Sequence, residues 1–253
     1  MCNISVLVVV YNTSIDSVPV ISKALENQYV SDIVVCDNST LTNMNSVKAA
    51  ELGLTYVSMQ GNRGLSVAYN AGIEKAEGDV ICVFDDDTFV PDDYFDKVEK
   101  LKNSDKHWDI ALPAVISNDR ILSPCIFKGY RSHLFTSRED IKDDLFLSGI
   151  NSGMAVKKEV YSRTHYNESL FLDLIDHQFI MDAKKNGAAV VFLDGPVLKQ
   201  SYSLDVDSKM SACKRFKIFS HDASYFYSSS MLSCLYCKIM LLIRRIKIFL
   251  RYF

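Results

Sequence analysis

The chain has 253 residues, 48% hydrophobic and 23% charged, globular proportions that exclude a disordered or fibrous protein and can bury a large core without a disulfide or metal staple. Its net charge of −3 is unevenly spread: residues 209–253 carry nine bases (Lys209, Lys214, Arg215, Lys217, Lys238, Arg244, Arg245, Lys247, Arg251) and one acid, Asp222, so that segment is +8 and the first 208 residues are −11. A wholly basic nucleic-acid binder is thereby excluded, and the tail is marked as the part that meets something anionic.

Ile4–Val10 is a short β-branched apolar run, the pattern of a parallel strand buried on both faces. Apolar residues at helical spacing (Val18, Ile21, Leu25) predict a helix over 17–27, capped by Asp16 or Ser17. A second strand over 32–36 ends in Asp37-Asn38-Ser39, a helix covers 45–52, and a third strand 54–59 leads through Gly61-Asn62-Arg63-Gly64 into a helix over 65–76. The strand 80–84 stops abruptly in Asp85-Asp86-Asp87; a solvated acidic loop continued by Asp92, Asp93 and Asp96 is the alternative to a metal-binding role for this string. Alternating strands and helices with right-handed crossovers imply a doubly wound, mostly parallel α/β sheet. Beyond residue 108 the rhythm changes. Strands over 110–117 and 120–127 are expected to pair, a helix over 173–186 ends at Gly187, and a last strand over 188–193 is closed by Asp194-Gly195-Pro196.

In such sheets ligands bind outside the carboxyl ends of the strands. Three of those ends carry polar residues here: Tyr11-Asn12, Asp37-Asn38 and Asp85–Asp87, which should share one crevice. Three adjacent carboxylates after a buried strand repel one another and gain nothing by packing. They are the oxygen ligands that Mg²⁺ or Mn²⁺ takes when it shares a site with substrate phosphates. The glycine loop at 61–64 allows close backbone approach to an anion but is not a dinucleotide fingerprint. Of the seven cysteines, Cys36, Cys82 and Cys125 sit in apolar runs, which suits reduced thiols in a cytoplasmic protein. Cys234 and Cys237 form a lone pair with no partners for a zinc site, and the first apolar run lacks the flanks of a signal peptide.

Val8–Asn12, Val34–Ser39, Gly61–Gly72 and Phe84–Thr88 together, in order and spacing, resemble the family 2 inverting glycosyltransferases of the GT-A fold, closest to the rhamnosyltransferase-like branch of bacterial surface-polysaccharide synthesis. A weaker resemblance covers 148–203, through Ser152-Gly153-Met154 and the segment Phe171–Phe179. The resemblance implies a nucleotide-diphospho sugar across the strand ends. Asp37 would meet the base, with Tyr11, Asn12, Asn62, Arg63, Gly64 and Asp86 around the nucleoside and phosphates. Asp85 would serve the ribose side of the metal site, Asp87 would hold Mg²⁺ or Mn²⁺, and Lys199 would touch the diphosphate. Asp176 would be the catalytic base, preferred to Asp173. The implied donor is dTDP-L-rhamnose first, then UDP-galactofuranose or another UDP-hexose, and the implied acceptor is a polyprenyl-diphosphate-linked glycan. Two positions depart from the family pattern: Gln178 stands where many relatives carry an acid, and Lys199–Ser203 lacks their histidine. A GT-A-like scaffold without catalysis is therefore the competing reading.

One glycosyltransferase domain is expected over 1–205, with a nucleotide-sugar half (1–105) and an acceptor half (106–205), followed by a basic helical segment over 206–253. Met231–Phe253 is too short and too charged for a membrane span. As a helix it sets bases against Ile, Leu and Phe, which suits peripheral contact with an anionic membrane surface.

Overall fold

The computed structural model describes residues 4–200 and 208–252. Strand β1 (Ile4–Val10) is buried at every position and is the middle of the fold. Its alternation divides the core: Ile4, Val6, Val8 and Val10 enter one apolar cluster, while Leu7 and Val9 enter the other. Each such side chain contributes about 1.5–3 kcal/mol when fully buried, against roughly 0–1 for an exposed ion pair. Burial on both faces of β1 is therefore what fixes the sheet.

The following elements alternate as expected: α1 (Pro19–Leu25), β2 (Val30–Asp37), α2 (Asn45–Glu51), β3 (Thr55–Ser58), α3 (Leu65–Ile73), β4 (Val80–Asp85) and a two-residue β5 (Thr88–Phe89). Then come α4 (Tyr94–Lys102), β6 (Ile110–Ser117), β7 (Arg120–Ser123), β8 (Cys125–Lys128), β9 (Arg131–Leu134), β10 (Leu147–Ser148), β11 (Met154–Lys157), α5 (Ile175–Lys185) and β12 (Val190–Gln200). Two long helices, α6 (Lys209–Phe226) and α7 (Met231–Tyr252), complete the described chain. The large sheet runs β3-β2-β1-β4-β11-β6-β12-β5, with β7 beside β6. Pairs β1/β2, β1/β4, β2/β3 and β6/β12 are parallel, and β11 enters antiparallel between β4 and β6. A small antiparallel sheet, β10-β8-β9, stands apart. The carboxyl ends of β1, β2 and β4 thus share one edge.

Several boundaries differ from the sequence reading. α1 starts at Pro19, with Val18 in the cap position and no side-chain cap from Asp16 or Ser17, because proline presets φ for a first helical residue. The supposed acidic loop holds α4. Asp93 is its N-cap residue and Asp96 lies in its first turn, where a carboxylate complements the helix dipole. Arg120–Phe127 is two strands rather than one, divided at Pro124, which has no N–H for a ladder. α5 begins at Ile175 because Leu174 sits in the left-handed region (φ 63°), and Gly187 follows the helix at φ 89° as a C-terminal glycine should. The last strand does not close at 194–196. β12 passes through Gly195 and Pro196 with a register shift between Leu193 and Val197, and reaches Gln200. Ser201–Ser203 and the expected boundary at 205/206 lie outside the described residues.

Gly72 lies where α3 crosses β1, and a Cβ there would stand 2.3 Å from Leu7 Cδ1 and 2.8 Å from Cys36 Sγ. Both neighbours are wholly buried. Gly72→Ala is expected to lower the unfolding free energy by about 1–3 kcal/mol despite the better helix propensity of alanine, as read from urea denaturation.

Candidate active site

A cleft of about 480 Å³ opens at the carboxyl ends of β1 and β4. It is lined by Tyr11, Asp85, Asp86, Asp87, Asp176 and Gln200, among others. The acidic triplet sits there because β4 is buried as far as Phe84 and emerges at Asp85. Donors hold Asp85 in place: its Oδ1 accepts from the Tyr69 hydroxyl at 2.9 Å, and its Oδ2 accepts from Ser152 Oγ at 2.7 Å and Gln200 Nε2 at 2.9 Å. The same Gln200 nitrogen lies 3.2 Å from Asp87 Oδ1. Gln200 is in reach because β12 pairs with β5, setting Gln200 opposite Thr88.

Crowding shows in the protonation of these groups. Burial, then the charge of Asp85, pushes the Asp87 carboxyl up against the opposing Gln200 bond. Burial also raises Asp86, with Thr13 and the Tyr11 N–H working against it. Asp176, in the first turn of α5, is raised by burial and by Asp85, while His177 opposes. His177 is held between Ser148 Oγ (2.7 Å) and Ser132 Oγ (3.1 Å), and burial lowers its pKa.

Asp173 is committed elsewhere. It forms a bidentate pair with Arg215 of α6, one arm at 2.6 Å. Asp176 lines the same cleft, and its Oδ1 accepts the backbone N–H of His177 at 2.8 Å.

The remaining expected positions separate. Asp37 is buried beside the cleft and accepts from the Ser39 N–H (2.8 Å), Asn43 (3.1 Å), Asn45 (3.0 Å) and Tyr56 (3.0 Å). Burial raises its pKa, but the bonds from Ser39, Asn45 and Tyr56 win and hold it below the ordinary carboxylate value. The Asn12 side chain is spent on the N–H groups of Thr40 and Leu41, and Asn62 Oδ1 takes the Gly64 N–H. Both brace loops at the rim. Arg63 donates its backbone N–H to Asn38, whose amide also reaches Gly64 O, so Asn38 stitches the glycine loop to β2. Gly64, at φ 87°, lets that loop touch residue 171: a Cβ would lie 2.8 Å from Phe171 O. Lys199 corrects the sequence reading. It is exposed, and strand alternation sends it to the face opposite Gln200. Gln178 bonds Asp182 along α5 at 2.6 Å and does not line the cleft.

Sequence reasoning passed over Gln200, Tyr69 and Asp222. Asp222 of α6 is fully buried and accepts the backbone N–H groups of Phe171 (3.0 Å), Leu172 (2.8 Å) and Asp173 (2.8 Å). A lone acid in a segment of nine bases was the signal for it.

No group of three or more His, Cys, Asp or Glu side chains converges as a metal cage among the described residues. The donor set suits instead a cation that takes one or two carboxylates and completes its shell with substrate phosphates and water. The raised Asp86 and Asp87 carboxyls are groups that such a cation would relieve.

This sheet order, with an acidic cleft at the ends of its parallel strands, is that of the GT-A fold. Residues 5–162 match the profile of Glycosyl transferase family 2, and the chain belongs to that family. No curated protein matches it by sequence. Among solved structures, residues 1–349 of S. aureus TarS superpose with a TM-score of 0.59 at 17% identity, over 90% of this chain and 72% of that one. The mannosyltransferase PcManGT from Pyrobaculum calidifontis, in complex with GDP-Man and Mn²⁺, gives 0.62 at 14% identity, over 94% and 69%. GalNAc-T7, with UDP, GalNAc and Mn²⁺, gives 0.64 at 14% identity, over 90% of this chain and 51% of that one.

Burial raises the pKa of Asp222, but bonds from His221 and from the N–H groups of residues 171–173 outweigh it, so the folded value lies below the ordinary 3.8. A depressed folded value means that this stabilisation is complete above about pH 3.8 and is lost as pH falls through the folded pKa. Asp222→Ala should cost roughly 3 kcal/mol at neutral pH by leaving three part-buried N–H groups without their acceptor, and the difference from wild type should shrink in acid. Urea denaturation across a pH series checks both.

Proposed function

We propose that this family member is an inverting, metal-dependent hexosyltransferase that moves a sugar from a nucleotide-diphospho donor to a lipid-linked glycan at the cytoplasmic membrane face. The observation that carries the reading is the placement of Asp85, Asp86 and Asp87 across one cleft from Asp176. The donor diphosphate lies along the triplet, with Tyr11 and Leu65 on the walls. Asp85 and Asp87 would hold Mg²⁺ or Mn²⁺, which would supply charge neutralisation for the departing phosphate oxygen. Gln200, Tyr69 and Ser152 keep the carboxylate of Asp85 aimed while that charge changes. Asp176 takes the proton from the acceptor hydroxyl as its oxygen bonds to the anomeric carbon. The bond from that carbon to the diphosphate breaks on the opposite face, and the nucleoside diphosphate leaves. A single displacement inverts the anomeric configuration.

dTDP-L-rhamnose is the donor suggested by the sequence resemblance. UDP-hexoses are the second reading, favoured by UDP in the TarS and GalNAc-T7 complexes. No helix among the described residues is long and apolar enough to cross a membrane, so the proposed membrane contact is peripheral, through the basic C-terminal helices.

Thermal denaturation with UDP or dTDP, with and without Mn²⁺, tests the donor site. One nucleotide should raise Tm only with metal, and Asp87→Ala should abolish the rise. A protein indifferent to both nucleotides would return the scaffold reading to first place. Asp176→Asn should keep the nucleotide-dependent rise and lower kcat by about 10²–10⁴-fold. Because the folded pKa of Asp176 is raised, its carboxyl holds its proton to higher pH, so kcat/KM should climb with pH through a value above 3.8. That limb should vanish in the asparagine variant.

A further inference from the structure

Of the three described side chains that donate to Asp85, only Gln200 lines the cleft. Tyr69 and Ser152 are wholly buried, so their hydroxyls are fixed where they stand. Gln200 ends β12 and is half-buried. Its amide nitrogen donates at 2.9 Å to Asp85 Oδ2 and lies 3.2 Å from Asp87 Oδ1, so one NH2 group bridges two carboxylates. Among the described residues, no donor meets its Oε1.

Two carboxylates this close call for positive charge between them. An N–H offers the positive end of a dipole, whereas a divalent cation offers a full charge and favours oxygen ligands. The two compete, because an NH2 held between the carboxylates turns its hydrogens toward any cation that shares them. A lysine in this position would stay a competitor, since an ammonium has donors and no acceptor. Lys199, one residue earlier, is exposed on the opposite face of the strand. A primary amide carries donor and acceptor on one carbon, and the torsion that joins it to the chain is broad and roughly two-fold. Turning about that bond exchanges NH2 for Oε1 without moving the backbone. The backbone is held meanwhile, because Gln200 pairs with Thr88, the residue after Asp87, across β12 and β5.

We propose that Gln200 is a switching ligand. Its amide nitrogen clamps Asp85 to Asp87, and when those carboxylates take Mg²⁺ or Mn²⁺ the amide turns and gives the ion its Oε1 as a further oxygen ligand. The inference rests on the metal-dependent transferase reading for the ion, and adds to it a ligand from β12 that is also the clamp the ion displaces. A neutral ligand suits the place. It brings no further negative charge to a cleft that already holds Asp85, Asp86, Asp87 and Asp176 and is to admit an anionic diphosphate.

Equilibrium dialysis of the untagged full chain against Mn²⁺ or Ni²⁺, with neither nucleotide nor acceptor, tests it. Asp87→Ala, measured alongside, gives the binding outside the cleft, which is subtracted from every protein. Gln200→Leu keeps the bulk and removes both amide atoms, and should bind Mn²⁺ about tenfold more weakly than wild type. Gln200→His puts a nitrogen ligand in the same place, and such ligands rank Ni²⁺ above Mn²⁺. Its ratio of Ni²⁺ to Mn²⁺ affinity should exceed that of Gln200→Leu by roughly tenfold. A leucine variant that binds Mn²⁺ as well as wild type, or better, would mean that the amide only competes with the ion, and would overturn the ligand. Equal ratios in the two variants would put residue 200 out of reach of the ion and overturn it too. A wild type that takes up no more Mn²⁺ than Asp87→Ala would remove the metal-dependent reading and this inference together. A wild type that binds Mn²⁺ while the variants give either contrary result loses only the inference.

Discussion

The repulsion among carboxylates at the end of β4 is the constraint around which the site is arranged. Asp85, Asp86 and Asp87 leave the core together, and the fold pushes the pKa of the second and third upward. Such a cluster is destabilising near neutral pH, since raised folded values are relieved only as protons bind. Four separate elements supply donors to offset it: α3 through Tyr69, the turn before β11 through Ser152, the end of β12 through Gln200, and the end of β1 through the Tyr11 N–H. The long-range architecture of the second half is thus tied to one short acidic string.

Asp222 shows the opposite use of the same chemistry. It too is buried, yet donors converge on it and hold its pKa below the ordinary value, because three of them are backbone N–H groups that cannot turn away. Asp86 and Asp87 remain partly exposed and take fewer donors than Asp222, a state suited to a cation or a proton. Asp222 is saturated and structural. It fixes the segment before α5, and Leu174, packed against the α6–α7 cluster, turns the chain so that Asp176 enters the first turn facing the cleft.

The nucleotide half was legible because its signals are local. A β-branched run, a polar strand end and a glycine turn each span fewer than ten residues, and the parallel order follows from crossover handedness. Asp176 over Asp173 was a choice between two acids of equal spacing, and the Arg215 pair, 42 residues away, gives a physical reason for it. Gln200 and Lys199 could not be sorted by residue type, because cation chemistry favours lysine for a diphosphate. The register of β12 against β5 turns the glutamine inward instead. That register depends on β12 running through Gly195-Pro196, where turn chemistry in the sequence argued for a stop. α4 was hidden for a related reason: its acidic N-terminal end reads as solvated loop until Tyr94, Phe95 and Val98 are seen facing the core.

The C-terminal helices are part of the site as much as an appendage to it. Arg215 and Asp222 both belong to α6, and between them they contact every residue from Phe171 to Asp173. α7 packs on α6 through Tyr236, Cys237 and Met240. Contacts of this kind transmit position only where two arrangements compete, and the saturation of Asp222 argues for one. The packing of α7 on α6 therefore holds the segment before α5 as one unit with the C-terminal helices, so a change in how α6 joins the domain would move Asp176 as surely as a change in the residues lining the cleft.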